Sequence, residues 1–246
     1  MKAQGVFMSR FARRISRIHK VIGLVVGLQL LFWTVSGFYF TLYPIETIRG
    51  GDYRPQIEHG SLQDMSVRIT AEEAARAVPG VWLSAELKPF LERPVWLITT
   101  SEHTMMIDAQ SGARWSPLDP VSFRALQRRF ETEEGAVNIP GSQARVSFLT
   151  ESAPREYGGA LPAWVIEDET TNVRLYFDAT TGDMRSVRTN EWRLFDILWR
   201  FHIMDITGED RFDTWWMKLV SFLAFSLVLT GFVLLIDRAR KGRLLG

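Results

Sequence analysis

Four histidines are the side chains of this 246-residue chain best suited to hold a metal or to move a proton. Neutral imidazole is a common metal ligand, and it titrates near physiological pH. His59 and His103 lie in polar stretches typical of solvated loops, whereas His19 and His202 lie beside or within apolar segments. The chain has no cysteine, which excludes thiol catalysis, iron–sulfur ligation, zinc–thiolate sites and covalently attached haem. Candidate chemistry therefore centres on His19 and His202.

Two apolar segments determine where these histidines lie. Residues 21–43 carry no charge. In the second segment, residues 213–236, the apolar run from Trp215 to Ile236 carries only Lys218, near its start. Each is long enough to cross a bilayer, which needs about 20 helical residues. Basic residues flank both on the side of the chain ends, which predicts that residues 1–20 and 237–246 are cytoplasmic and that 44–189 lie outside. These basic residues are Arg10, Arg13, Arg14, Arg17, Lys20, Arg238, Arg240, Lys241 and Arg243.

The charge distribution indicates lipid rather than nucleic acid as the partner of the basic ends. The formal net charge is +1, and the basic excess is concentrated next to the two predicted spans. Contact with anionic membrane lipid explains such clusters. We therefore expect no nucleic-acid partner.

His19 is expected at the cytoplasmic end of the first span, on a helix face that also carries glycine. It shares this face with Gly23, and Gly27 lies one turn further on. Two glycines four residues apart leave a flat groove, which is a known packing seam between membrane helices. The same groove would accept a flat porphyrin with His19 as its axial ligand, since b-type haem needs only an imidazole and an apolar slot. The sequence leaves both interpretations open.

His202 ends the apolar face of a predicted amphipathic helix over residues 190–206. Leu194, Leu198 and His202 recur every four residues, while Arg193 and Arg200 fall toward another side. A helix of this kind is expected at the outer membrane interface. His202 is there either a packed, hydrogen-bonded residue or a ligand. About 20 helical residues separate its level from that of His19, so one chain cannot bring both to one iron.

The external segment repeats itself, at about 64–116 and 117–189. Each half contains an apolar strand (94–98, 162–166), a polar turn, and a second strand that ends in an Asp-Ala-x-x-Gly turn. Each half also opens with a capped helix: Thr70 and Glu73 form a capping box, and Asp119 precedes Pro120 at the first helical position. The predicted fold is an α+β membrane protein, with two transmembrane helices flanking two helix-plus-antiparallel-sheet repeats.

These residues carry a family resemblance. Ile-Thr-x-Glu-Glu-Ala at 69–74, a strand, and then Asp-Ala-x-x-Gly resemble the PepSY module of bacterial envelope proteins. Residues 17–24, 33–37, 201–205 and 229–235 resemble the spans of PepSY-associated transmembrane proteins. Better-understood members of that family are inner-membrane haem proteins that reduce ferric iron held in siderophores, and they have four spans. This chain has two, so the resemblance implies a homodimer whose four helices form a bundle.

The resemblance implies a two-pass protein of the bacterial inner membrane with a periplasmic central domain. It implies haem b, with His19 and His202 as iron ligands and Gly23 and Gly27 beside the cofactor. The expected function is electron transfer to a periplasmic acceptor such as ferric iron or a ferric siderophore, that is, haem-dependent ferric reduction. The alternative is a non-catalytic PepSY protein that binds or regulates a periplasmic or membrane protein. The residues alone leave enzymatic activity open.

Overall fold

The computed structural model describes residues 2–54, 60–132, 144–205, 207–209, 211 and 213–241, with side chains from residue 14 onward. His59, Arg243 and the side chains of Arg10 and Arg13 lie outside this part. The chain divides into a helical unit, Met1–Pro44 with Leu194–Gly246, and an α+β unit, Ile45–Arg193. The helices are α1 (Lys2–Leu42), α2 (Ile45–Ile48), α3 (Ala71–Ala75), α4 (Pro120–Thr132), α5 (Asn190–His202) and α6 (Trp215–Arg240).

The helical unit is built on two long apolar helices, as predicted. Segments Arg14–Leu42 and Trp215–Arg240 are long and apolar enough to cross a membrane, judged by length and composition. The first helix is longer than the predicted span, because the basic residues before position 21 continue it. The two helices pack against each other, with Leu227 of α6 next to Gly23 of α1.

Helix α5 packs along α1 through aromatic rings. Phe195 lies 4.7 Å from Phe40 and Phe201 lies 5.1 Å from Phe32, measured between ring centroids. Residue numbers rise along α5 as they fall along α1, so this part of α5 runs antiparallel to α1. The helix that the sequence predicts at the outer membrane interface therefore packs, in the structure, against the first apolar helix.

Helix α5 ends at His202 rather than at the predicted residue 206. Met204 adopts a left-handed backbone conformation, with φ of 54°. The Asp205 amide donates to the carbonyl oxygen of Arg200 at 2.8 Å, and the Met204 amide donates to that of Phe201 at 3.3 Å. This pair of bonds is a Schellman motif, which closes a helix. Glycine normally occupies the left-handed position, so a methionine there gives no signal in the sequence.

The α+β unit contains two antiparallel sheets, each with its strands in chain order. The first sheet consists of β1 (Trp82–Phe90), β2 (Arg93–Thr100) and β3 (Thr104–Asp108), and the second of β4 (Arg145–Leu149), β5 (Ala163–Asp168), β6 (Val173–Asp178) and β7 (Met184–Arg188). The predicted hairpins are β2–β3 and β5–β6, with Val95 paired to Asp108 and Ala163 paired to Asp178. Strands β1, β4 and β7 are further strands that the sequence did not predict, and they pair with these hairpins.

Both predicted helix caps are present. The Thr70 hydroxyl accepts from the Glu73 amide at 3.2 Å, and the Glu73 carboxylate accepts from the Thr70 amide at 2.8 Å, which completes the capping box. The Asp119 carboxylate accepts from the amides of Val121 and Ser122 at 2.7 and 3.0 Å. These bonds satisfy amides that a helix leaves unpaired at its start.

The repeat is also visible in tertiary contacts. Trp96 on β2 donates to the carbonyl oxygen of Ile69 at 2.8 Å, and Trp164 on β5 donates to that of Leu118 at 2.9 Å. Each acceptor immediately precedes its helix cap. Asp108 and Asp178 each accept from the amides two and three residues on, at 2.7 to 3.3 Å. The two halves therefore share one set of turn and anchor contacts.

The main core of the unit joins the two halves. Helix α4 supplies Phe123, which stacks on Trp164 of the second sheet with ring centroids 4.8 Å apart. The first sheet reaches the same core through Phe90, which fills the space beside Gly182 in the second turn. The remaining fully buried members are Val95, Leu118, Leu126, Ile166, Leu175, Phe177, Ala179, Val187 and Met106.

Candidate functional site

His202 is held against α1 by a buried serine. Its Nδ1 lies 2.7 Å from the Oγ of Ser36, a residue that is 1% exposed. The Ser36 hydroxyl also donates to the carbonyl oxygen of Phe32, one turn back, at 2.7 Å. A hydroxyl has a single hydrogen. Because Ser36 donates that hydrogen to the carbonyl oxygen of Phe32, its oxygen acts as the acceptor in the bond with the His202 ring. We assign Nδ1 of His202 as the protonated nitrogen on this basis.

His19 has the same arrangement with α6. Its Nδ1 lies 2.9 Å from the Oγ1 of Thr230. The Thr230 hydroxyl donates to the carbonyl oxygen of Ser226, one turn back, at 2.8 Å. Nδ1 of His19 is therefore also the hydrogen-bond donor. Each histidine is thus oriented by a hydroxyl on a neighbouring helix, whose own hydrogen is committed to its backbone.

The consequence is an available Nε2 on both rings. A neutral imidazole protonated at Nδ1 carries its lone pair on Nε2, the form that binds a metal. Within the described part of the chain, neither Nε2 makes a hydrogen bond. A hydrogen bond from the other ring nitrogen is what fixes the orientation of metal-binding histidines. Both rings therefore have the tautomer and the orienting hydrogen bond that are typical of histidine ligands to iron.

The two histidines lie too far apart to share one iron within a chain. His202 bonds to Ser36, which is 17 residues beyond His19 on the continuous helix α1. At 1.5 Å per residue this separation is about 26 Å. Each would need a second ligand from elsewhere.

Aromatic rings surround His202. Trp199 is parallel to it within 3°, at a centroid distance of 6.1 Å. Phe40 lies 5.6 Å and Trp33 6.3 Å from the same ring. These neighbours restrict how the imidazole can turn, and they make its surroundings apolar.

The glycines predicted beside His19 have separate environments. A Cβ on Gly23 would lie 3.5 Å from Leu227, an ordinary packing distance, so Gly23 lies next to α6. A Cβ on Gly27 would meet no described atom within 4 Å. On α6, a Cβ on Gly231 would lie 3.4 Å from the His19 ring. Space beside His19 therefore comes from Gly231, a residue of the opposite helix.

The polar stripe on α1 forms hydrogen bonds between helices. The sequence places Gln29, Trp33 and Ser36 on one face, which favours such bonding, and the structure confirms it. Gln29 Nε2 donates to the carbonyl oxygen of residue 201 at 3.0 Å, and Trp33 Nε1 to that of residue 202 at 2.6 Å. Trp216 on α6 donates to the carbonyl oxygen of residue 204 at 2.9 Å. Side chains from two helices, α1 and α6, therefore satisfy the carbonyl oxygens at the carboxyl end of α5.

A depression of about 410 Å³ lies between α1 and the end of α5. Phe32, Phe201 and Arg200 are among the residues that line it. The Nε of Arg200 is buried and makes no hydrogen bond to a described residue. A carboxylate on a bound group would satisfy this donor, since guanidinium and carboxylate pair closely. Asp205 lines the same depression, and neither His19 nor His202 is among the described residues that line it.

No three His, Asp or Glu side chains among the described residues converge to hold a bare metal ion. Haem iron needs only one or two protein ligands, because the porphyrin supplies the others. His103 lies in the β2–β3 turn, where its amide donates to Thr100, and it is exposed. His19 and His202 thus remain the candidate ligands.

The chain matches no protein-family model, no curated protein and no solved structure. The site is therefore characterised by its own geometry. Thr230 is the residue that the sequence analysis misses, because its role depends on the register between two helices whose bonded residues lie 211 positions apart.

A charged centre in the α+β unit is also absent from the sequence analysis. Glu156 accepts from Arg174 at 2.9 Å, from Arg193 at 3.0 Å and from the Tyr176 hydroxyl at 2.9 Å. Burial acts to raise the pKa of Glu156, but these hydrogen bonds outweigh it and hold the pKa below its ordinary value. Burial and the Glu156 charge together raise the pKa of Tyr176. The group is an ion-pair network that joins the residue 156 turn to β6 and the start of α5.

Proposed function

We propose that this chain is a haem b-binding redox protein of the bacterial inner membrane, which passes electrons to a periplasmic acceptor. The observation that carries the proposal is the shared arrangement of His19 and His202. Both rings donate from Nδ1 to a hydroxyl whose own hydrogen is committed, and both keep Nε2 available.

The surfaces of the two long helices support membrane insertion. Phe222, Phe225 and Phe232 on α6 are each more than half exposed. A contiguous apolar surface of this kind is unfavourable in water and suits lipid. Arginines in the first half of α1 and at the end of α6 favour a cytoplasmic location for both chain ends, by the positive-inside rule.

The separation of the histidines supports a homodimer. Two histidine ligands per haem then come from two copies: His19 pairs with its counterpart near one face, and His202 with its counterpart near the other. Four long helices, two from each copy, enclose both groups. Haem b supplies one-electron redox chemistry when bound. Two such groups at opposite faces would give electrons a route across the bilayer.

The chain's own residues have defined roles in this proposal. Ser36 and Thr230 orient the imidazoles. The aromatic rings around His202 would keep water from an iron bound there, which would affect the reduction potential of that iron. Ferric iron or a ferric siderophore is the proposed acceptor, and this part rests on the family resemblance alone.

The test is the haem content of protein purified from membranes in mild detergent. Wild type should bind two haems per dimer, His19→Ala one and His202→Ala the other, with His103→Ala as the matched control. Unchanged haem content in both variants would reject the ligand assignment. A colourless protein from haem-replete cells would reject the redox function and favour the partner-binding alternative.

A further inference from the structure

A basic depression of about 500 Å³ lies on the α+β unit. Four arginines line it, Arg49 and Arg54 from the segment after α1, and Arg185 and Arg188 from β7. Glu46 is the one acidic residue among the described residues that line it. Such a concentration of guanidinium groups favours an anionic ligand.

Much of this positive charge is not neutralised by the protein. Arg185 pairs with Asp178 at 2.8 Å. Arg54 donates instead to the backbone carbonyl oxygens of Met184 and Arg185, both at 3.3 Å, which positions the guanidinium without cancelling its charge. The Arg49 side chain makes no ion pair or hydrogen bond with any residue that the structure describes. At least two cations therefore remain for a ligand.

Arg188 is positioned by an aromatic ring. Its guanidinium lies over the ring of Trp192, 3.9 Å from the centroid, and its Nε donates to the carbonyl oxygen of Glu156. Stacking of this kind fixes the plane of the guanidinium. A fixed, flat donor suits an oxyanion whose oxygens are also fixed.

Ser186 gives an independent indication of a ligand. It lines the depression, is 8% exposed, and its hydroxyl is buried without a hydrogen-bond partner among the described residues. A buried hydroxyl that makes no hydrogen bond is costly, and such groups normally have a partner. A ligand oxygen in the depression would supply that partner.

Gly50 brings the two halves of the arginine set together. Its φ is 74°, and a Cβ there would lie 2.5 Å from the Cγ1 of Val187 on β7. Only glycine combines this backbone conformation with so close an approach. The segment with Arg49 and Arg54 is therefore held directly against β7.

We propose that this depression binds a phosphate group, carried either by a phospholipid headgroup or by a small soluble molecule. A guanidinium group can donate two parallel hydrogen bonds to two oxygens of one phosphate, and a serine hydroxyl can donate a further one. Both contributing segments adjoin the helical unit in the chain, at Pro44 and Leu194. The site does not depend on haem, so it stands apart from the proposed redox function.

The test uses the full-length protein in detergent with two separate probes, inorganic phosphate and phosphatidylglycerol. Arg49→Gln removes a guanidinium that makes no ion pair or hydrogen bond with a described residue, and Ser186→Val replaces the buried hydroxyl. Both variants should keep the fold. Arg76→Gln is the charge-matched control, because Arg76, at the C-cap of α3, is exposed and pairs with Glu72. Phosphate binding is measured by line broadening in phosphorus NMR, and lipid retention by native mass spectrometry.

Arg49→Gln should weaken binding about tenfold or more, the effect of losing one hydrogen bond to a charged group, and Arg76→Gln should not. Ser186→Val should also weaken it. Phosphate broadening without specific lipid retention identifies a soluble phosphate. Retention of a lipid that Arg49→Gln loses, without phosphate broadening, identifies a headgroup. Equal behaviour of wild type and both variants with both probes, including no binding, overturns the proposal.

Discussion

The imidazole of His202 and the hydroxyl of Ser36 form a defined pair, with Nδ1 and Oγ 2.7 Å apart. The serine lies on α1 and the histidine at the last residue of α5, 166 positions later in the chain. Because Ser36 commits its hydrogen to Phe32, the direction of the bond is set from ring to hydroxyl. His19 and Thr230 repeat this relationship about five turns earlier on α1.

Removing either hydroxyl should weaken haem binding at one site only. Ser36→Ala leaves the His202 ring free to turn or to change tautomer, and Thr230→Val does the same to His19. Loss of such an orienting partner lowers metal affinity by about 10-fold to 100-fold. Haem titration of the apoprotein measures the effect. Ser36→Thr, which keeps the hydroxyl, should restore affinity; equal affinity in Ser36→Ala and wild type would contradict the orienting role.

Replacing the histidines should separate the two haems spectroscopically. His202→Ala should remove the haem surrounded by Trp199, Phe40 and Trp33, and His19→Ala the haem near the basic chain ends. The two single variants should therefore show different reduction potentials, since the surroundings of a haem set its potential. Potentiometric titration in detergent checks this. Identical curves from both variants would show that the histidines do not hold separate groups.

Loss of the hydrogen bonds to the carboxyl end of α5 should weaken haem binding at His202 and leave haem binding at His19 unchanged. Gln29→Leu and Trp33→Phe each remove a donor to a carbonyl oxygen of that helix. We expect each to cost about 1 kcal/mol of stability, a typical value for a hydrogen bond between membrane helices, and to loosen the haem at His202. Thermal unfolding and haem content give the measurement. Thr34→Val, which affects only the carbonyl of Leu30 on α1 itself, is the control.

Acid should destabilise the α+β unit through Glu156. Its pKa in the folded protein lies below the ordinary value of 4.5, so its contribution to stability is present above that pH and is lost as the pH falls through the lower, folded-state pKa. Glu156→Gln should lower the free energy of unfolding by about 2 kcal/mol at neutral pH, because the half-buried Arg193 and Arg174 each lose a charged hydrogen-bond partner, although Arg174 keeps Glu167. The difference should shrink below pH 4.5. Chemical unfolding at several pH values measures it.

Glu169→Gln is the matched control for that experiment. Glu169 pairs with Arg145, and both side chains are 65% exposed. Exposed ion pairs contribute little to stability. If Glu169→Gln and Glu156→Gln lowered the free energy of unfolding equally, the Glu156 network would contribute no more to stability than an exposed ion pair.

Features set by local sequence are the ones that the sequence predicted. The capping box of Thr70 and the cap of Asp119 depend on residues three or fewer positions apart, and both are confirmed. The two Asp-Ala-x-x-Gly turns are confirmed with Gly112 and Gly182 at φ of 73° and 74°. The two long apolar helices were also predictable, since their length and composition do not depend on tertiary contacts.

Features set by tertiary contacts could not be predicted. The end of α5 depends on Met204 in a left-handed conformation that its residue type does not favour. The Thr230–His19 bond depends on the register of α6 against α1, and the Glu156 network joins residues from three segments. The neighbour of Gly23 on α6, Leu227, depends on the same register and could not be predicted either.

The visible absorption spectrum of the purified protein, oxidised and then reduced with dithionite, tests the central claim most directly. Two-histidine haem predicts a Soret band and sharp α and β bands on reduction. Loss of half the signal in His202→Ala and of the other half in His19→Ala would establish both ligands. A protein that purifies without colour from haem-replete cells, and takes up none on titration, would contradict the account.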